Sequence, residues 1–271
     1  MWIKSMFVFI LLLLTAHDAL SATSDVTYVG GVVSPTNAVC GDGSVFSPIT
    51  CLVEPSDVAY YSITDKFYLC DKQANICALQ GTTFLVTTIM GPVLTTSSGD
   101  VVSTTATLTR FNAPSCFALS VTTLYISDTG NRKIKALELT DVTLSTFAGD
   151  GTDAFLSNQA ILSLQFRSPV GMCSYNRRLY VMNAGDSNMH RLHEIIGIGT
   201  SLGFGFPGGM SVTIYKGVAY VTRANEHLVY TVGLMVANTN IFIGGTSGDA
   251  TSTPAVLCDC SILFFVIIIF L

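Results

Sequence analysis

Four kinds of residue in this chain could carry chemistry, and their spacing narrows what each could do. His190 and His193 lie three apart, with His227 further on, and converging imidazoles would suit a transition metal. The stretch around the first two reads as strand, where residues three apart point to opposite faces, so they are expected as polar residues of an outer strand. The Gly41-Asp42-Gly43 and Gly149-Asp150-Gly151 loops invite phosphate or calcium. A phosphate loop needs a following helix and a lysine, and a calcium loop needs alternating acids with a distal glutamate. Neither follows, so turn chemistry accounts for both loops: Gly supplies positive φ and Asp bonds its own backbone. Ser, His and Asp occur without a Gly-x-Ser-x-Gly elbow to expose a nucleophile. Asp57 is the one carboxylate in the expected inner-strand pieces DVAY, CFALS, GMCS and GMSV, whereas metal-assisted chemistry needs several converging ligands. The sequence therefore assigns no catalytic residue, no cofactor and no metal ligand, and leans away from an enzyme.

The cysteines are Cys40, Cys51, Cys70, Cys77, Cys116, Cys173, Cys258 and Cys260. Cys70 and Cys77 flank the DKQANI turn on two expected hairpin strands and are expected to face one another as a disulfide. Cys40 and Cys51 share the first linker, and Cys116 and Cys173 occupy similar positions on the inner strands of neighbouring units. These six are the disulfide candidates, and sequence leaves their connectivity open. Cys258-Asp-Cys260 lacks a second ligand pair of metal-site spacing.

The elements that must position these residues repeat along the chain. A Pro-led segment appears as EPSDVAY at Pro55, APSCFAL at Pro114, SPVGMCS at Pro169 and FPGGMSV at Pro207. A second segment follows as FYLCD, LYISD, LYVMN and AYVTR, with an Asn soon after: Asn75, Asn131, Asn188 and Asn225. The aligned tyrosines, Tyr68, Tyr125, Tyr180 and Tyr220, are 57, 55 and 40 residues apart. Short β segments at such a period select a propeller over a helical solenoid. Outer strands are expected at Val86 to Ile89, Leu144 to Phe147 and Ile241 to Ile243, each before a Gly-rich turn. Val26 to Val29 is expected to pair with the last of these and close the ring, since closure removes exposed strand edges.

AGDGTDAFLSNQAILSLQFRSPVGM followed by LYVMN, and LYISDTGNRKIKAL from Leu124 to Leu137, resemble the NHL repeat over roughly residues 26 to 257. The resemblance implies an all-β fold, a β-propeller of about four recognisable NHL-like blades, fewer than the six that are more usual. The fourth unit departs most, with Arg223 at the usual Asp position. Some NHL-type propellers are metal-dependent lyases, so a propeller lyase or lactonase stands as the alternative to a binding module. A shortened product of a larger NHL protein stands beside it.

Composition agrees: 49% hydrophobic, 11% charged and 23 Gly suit short strands and tight turns. A net charge of −5 without a basic cluster gives no support to nucleic-acid binding. Arg132, Lys133 and Lys135, with Arg177 and Arg178, are expected as solvated charges in hairpin turns of adjacent blades, on the rim where an acidic partner would be sought. Residues 1–21 read as a secretory signal peptide, 22–250 as the propeller and 251–271 as an apolar tail. A span needs about 20 apolar residues, so the tail fits a GPI signal, with Ser247, Gly248 and Asp249 as attachment candidates, or a membrane anchor. No Asn-x-Ser/Thr sequon occurs. The expected setting is the secretory pathway, at the cell surface or secreted, with a protein or glycan as partner and the membrane engaged through the tail.

Overall fold

The computed structural model describes residues 43–44, 54–72, 75–80, 85–91, 99–103, 108–185, 191–196, 198–205, 209–223, 228–234 and 239–244. They form four antiparallel sheets. Blade 1 comprises β2 (Pro55–Tyr61), β3 (Lys66–Asp71), β4 (Asn75–Gln80) and β5 (Leu85–Met90), with the short β1 (Gly43–Ser44) added outside β5. Blade 2 comprises β6 (Pro114–Ser120), β7 (Thr123–Asp128), β8 (Lys133–Glu138) and β9 (Thr143–Ala148). Blade 3 comprises β11 (Ser168–Tyr175), β12 (Arg178–Ala184), β13 (Arg191–Ile196) and β14 (Ile198–Gly205), with β10 (Gln159–Ala160) outside β14. Blade 4 comprises β15 (Gly209–Tyr215), β16 (Val218–Arg223), β17 (Leu228–Gly233) and β18 (Thr239–Gly244). The fold is all-β, with four blades of a β-propeller. The Val26 strand expected to close the ring lies outside the described residues, and among those described no seam joins β15 back to β2.

The Pro-led strands β2, β6, β11 and β15 adjoin in series as the innermost strand of each blade. Each slips register at the same place, between Pro55 and Asp57, Pro114 and Phe117, Pro169 and Gly171, and Gly209 and Ser211. A bulge there bends the strand as it enters the sheet. The recurring acid or amide at the end of the second strand closes the same corner. Asp71 Oδ1 accepts the N–H of Glu54 at 3.1 Å, Asp128 Oδ1 that of Asn112 at 2.7 Å, and Asn183 Oδ1 those of Arg167 and Ser168 at 3.1 Å each. Burial raises the Asp128 carboxyl to about 6 against the pull of its bonds to Asn112 and Asn131.

Strand alternation gives each blade two apolar faces, and successive blades pack face on face. Tyr61, Tyr68, Cys70, Ile76 and Ala78 of blade 1 meet Phe117, Ile126 and Leu137 of blade 2. Cys116, Ala118 and Ile134 meet Met172, Leu179 and Val181 of blade 3. Tyr180, Met182 and Leu192 meet Val212, Ala219 and Val221 of blade 4. The linkers also fold. Isolated bridges tie Val101 to Arg110 and Leu156 to Gln165, and a fully buried phenylalanine, Phe111 or Phe166, follows each bridge.

The third strand of blade 3 leads directly into β14, an outer strand absent from the sequence reading. IGTSLGFG carries three glycines and no long Gly-rich linker follows it, which removed the usual signal. This also accounts for the shorter spacing from Tyr180 to Tyr220.

Candidate functional site

The inner seam between blades 1 and 2 gathers the most chemically distinctive groups. Asp57 stands just after the β2 bulge and pairs in register with Cys70 of β3. Its Oδ1 accepts the N–H of Val58 at 2.8 Å, and its Oδ2 reaches the N–H of Phe117 on β6 at 2.6 Å. Burial pushes this carboxyl up to about 6, against the pull of those two bonds and of the Cys116 thiol. Cys116 holds the matching place in blade 2, and its Sγ accepts the N–H of Met172 on β11 at 3.2 Å. Burial, then the neighbouring Asp57 charge, holds the Cys116 thiol well above its ordinary value.

Chemically, this cluster is a structural clasp. A nucleophilic cysteine needs a lowered pKa and access, and Cys116 has neither. Asp57 titrates near neutrality, which suits an acid or base, yet both its oxygens already hold backbone donors. Among the described residues no group of three His, Cys, Asp or Glu side chains is placed to hold a metal.

Hydroxyls continue the clasp toward the strand starts. Ser56 Oγ donates to Pro114 O at 3.3 Å across the first seam. At the second, Thr129 Oγ1 donates to Pro169 O at 2.6 Å, Ser127 Oγ donates to the same carbonyl, and Ser115 Oγ donates to Val170 O at 3.4 Å. At the third, backbone approaches backbone so closely that a Cβ on Gly171 would lie 2.5 Å from Met210 O. These approaches at the first residues of successive inner strands show that all four start at one end of the molecule. The linkers and the turns between second and third strands occupy that end. The turns between first and second, and between third and fourth, strands occupy the other.

The linker end carries a charged network. Asp100 bridges Lys133 Nζ at 2.5 Å and the fully buried Lys135 Nζ at 2.6 Å, and Lys135 also reaches Thr146 Oγ1 at 3.0 Å. Burial opposes ionisation of Asp100, but the two lysines outweigh it and hold its pKa below the usual value. Arg132 pairs with Asp153 at 2.9 Å, and Arg167 lies 5.2 Å over the Phe155 ring.

Several expected sites move on inspection. Leu69 pairs with Cys77 and Ile76 with Cys70, so Cys70 and Cys77 take alternate faces of the ladder; the expected disulfide between them is corrected. Cys116 and Cys173 are free thiols at non-equivalent places: Cys116 follows the bulge, whereas Cys173 sits two residues further, opposite Tyr180. Burial lifts the Cys173 thiol to about 12. Arg132 and Lys133 lie at the linker end, whereas Arg177 and Arg178 lie at the far end, so they share no rim. Lys135 is a buried strand residue, not a loop charge. His193 is buried too, 5.9 Å edge-on to Phe166, where an outward polar residue was expected. Gly149 and Gly151 take φ of 95° and 91°, and Asp150 Oδ1 accepts the Thr152 N–H at 2.7 Å, as turn chemistry requires. Cys40, Cys51, Cys258, Cys260, His190, His227, Ser247, Gly248, Asp249 and both terminal segments lie outside the described residues. Among the described residues no helix is long and apolar enough to cross a membrane.

No protein-family model matches this chain, and no curated protein matches it. Solved structures do. An auxiliary nutrient binding protein from Bacteroides thetaiotaomicron superposes with a TM-score of 0.57 at 12% identity, over 84% of this chain and 53% of that one. A streptogramin B lyase gives 0.49 at 10% identity, over 74% of this chain and 57% of that one. The nidogen/laminin complex gives 0.42 at 13% identity, over 69% and 79%. The chain thus spans about half the length of the first two. At such identities a likeness speaks for the fold alone, here the β-propeller.

Proposed function

We propose that this chain is an NHL-type propeller module, displayed at the cell surface or secreted, that binds a protein or glycan ligand without catalysis. The observation that carries the reading is the build of the linker end. Two antiparallel bridges, Val101–Arg110 and Leu156–Gln165, are each followed by a buried phenylalanine, and Val101, Val102, Leu108, Leu156 and Leu162 stand exposed to solvent around them. Exposed apolar side chains grouped beside Arg132, Lys133 and Arg167 are the usual make-up of a binding surface. Ser56, Asp57, Ser115 and Cys116 of the inner strands, in contrast, are taken up in holding blades together. The signal-like amino terminus and the apolar tail support an extracellular setting with a GPI or peptide anchor.

The test is an unbiased capture with the full chain beside a Val101→Asp/Leu156→Asp variant. Ligand retained by the parent and lost by the variant, with unchanged circular dichroism, supports the reading. Stoichiometric zinc or calcium, lost on chelation together with a measurable activity, overturns it. Treating expressing cells with a phosphatidylinositol-specific phospholipase decides the anchor: release supports GPI, retention a peptide anchor, and protein free in the medium removes both.

A further inference from the structure

The end opposite the linkers joins three features that nothing in the chain itself explains. Two valines there occupy the left-handed region, Val121 at φ 53° and Val142 at φ 58°. That conformation belongs to Gly, Asn and Asp, and a β-branched residue in it is an outlier. The turns of blades 1, 3 and 4 that correspond to that of Val121 use Asp65, Asn176 with Arg177, and Lys216 with Gly217. Both valines are also exposed, at 71% and 48%, beside Ile63 at 71% and Tyr60. Strain and exposed apolar surface coincide on blade 2, and such outliers persist where something else gains from them.

Charge on this end is divided. Over blades 1 and 2 the ionisable groups of the described turns are Asp65, Glu138 and Asp141, against Lys66 alone. Hydrogen bonds from Thr122 on Glu138 and from Thr143 on Asp141 hold both acids below their ordinary values, so they stay ionised. Over blades 3 and 4 the groups are Arg177, Arg178 and Lys216, against Glu194, which Arg178 already binds at 2.5 Å. Arg177 and Lys216 are exposed, and Lys216 Nζ lies 4.9 Å over the ring of the exposed Tyr215. One half of the end is therefore acidic and carries Ile63, Val121, Val142 and Tyr60, and the other is basic and carries Tyr215.

A surface of this kind is complementary to itself under a two-fold rotation, which brings the first half of one copy onto the second half of another. We propose that the turn end is an isologous interface with a second copy of this chain. Ile63, Val121 and Val142 of each copy meet the Tyr215 side of its partner, and Asp141 and Asp65 meet Lys216 and Arg177. The partner's contacts repay the conformation held by the two valines.

Sedimentation of the purified full chain over a range of concentrations tests this. A concentration-dependent dimer that weakens with added salt is expected. Asp141→Lys and Lys216→Glu should each weaken it by roughly tenfold or more, since like charges then oppose one another. Mixing those two variants should restore a dimer, because each then offers the charge the other needs. Val121→Asn should raise the melting temperature by relieving the backbone while weakening association, a pair of effects that mere misfolding cannot give. A monomer at every concentration overturns the proposal, as does association that both charge variants leave unchanged, for the apolar tail would then be its cause.

Discussion

The Asp57 carboxylate takes the backbone N–H of Phe117 one blade away, at 2.6 Å, and Cys116 makes the same reach to Met172 one seam later, at 3.2 Å. The two acceptors differ in chemistry, so the two seams respond differently to solution conditions. The acceptor of the first is a carboxyl raised to about 6, and that of the second is a thiol held well above its ordinary value.

That difference sets a pH dependence. Asp57 rises from 3.8 to about 6 on folding, because burial outweighs its bonds, and Asp128 rises likewise. The folded state then binds more protons than the unfolded one between those values, so stability grows as pH falls through about 6 toward 4. Asp100, held low by its lysines, loses its contribution only below that window. The melting temperature should be higher at pH 5 than at pH 7.5, and Asp57→Asn should show a smaller rise. A parent protein whose melting temperature falls over that interval contradicts this account.

The buried lysine predicts an asymmetry between partners. Asp100→Ala leaves Lys135 enclosed with only Thr146 Oγ1 and should cost about 2 to 4 kcal/mol, less than a fully buried pair would because Asp100 is partly exposed. Lys135→Met removes the buried charge, keeps its volume and leaves Asp100 to Lys133, and should cost under about 1.5 kcal/mol. Urea unfolding of the two variants measures the order, and the reverse order would refute the assignment.

At the third seam, Gly171→Ala forces a methyl against Met210 O. Backbone cannot yield as a side chain can, so a loss of about 1 to 3 kcal/mol is expected. Gly217 has open space around it but a φ of 77°, and its alanine variant should lose about 1 kcal/mol through conformation alone. Equal stability of the Gly171→Ala variant and the parent would mean the blades are further apart than described.

Cysteine mapping without reduction should recover no peptide linking Cys70 to Cys77. A linked peptide would require β3 and β4 to shift by one residue, which would turn the buried Tyr68 and Cys70 to the other face.

The repeat was legible because each of its signature residues has a fixed local task. The Pro starts the bulged inner strand, and Asp71, Asp128 and Asn183 hold the N–H groups just before it, so the same types recur wherever the corner recurs. What the sequence hid depends on parity and on neighbours. One residue of register separated Cys70 from Cys77, and a count of two from the bulge separated Cys116 from Cys173. Whether a hairpin turn joins strands one and two or strands two and three decided the end at which Arg177 and Lys133 emerge. Lys135 and His193 read as surface residues because their type is usually exposed, and only the linkers and phenylalanines packed around them reverse that. The clasp on Phe117 left no trace in spacing, since its donor is a backbone group that any residue supplies.

The clasps also have a direction. Asp57 and Cys116 each precede in sequence the N–H they hold in the next blade, and the equivalent N–H of blade 1, that of Val58, is met by Asp57 of its own strand. On a ribosome, blade 1 would emerge able to satisfy itself, and blades 1 and 2 would each wait with an acceptor for the inner strand of the next. Such an order favours assembly blade by blade with synthesis, as domains ordinarily fold from the amino end during translation. A refolding chain released from denaturant has no such order imposed on it, and its quasi-identical inner strands can dock out of turn.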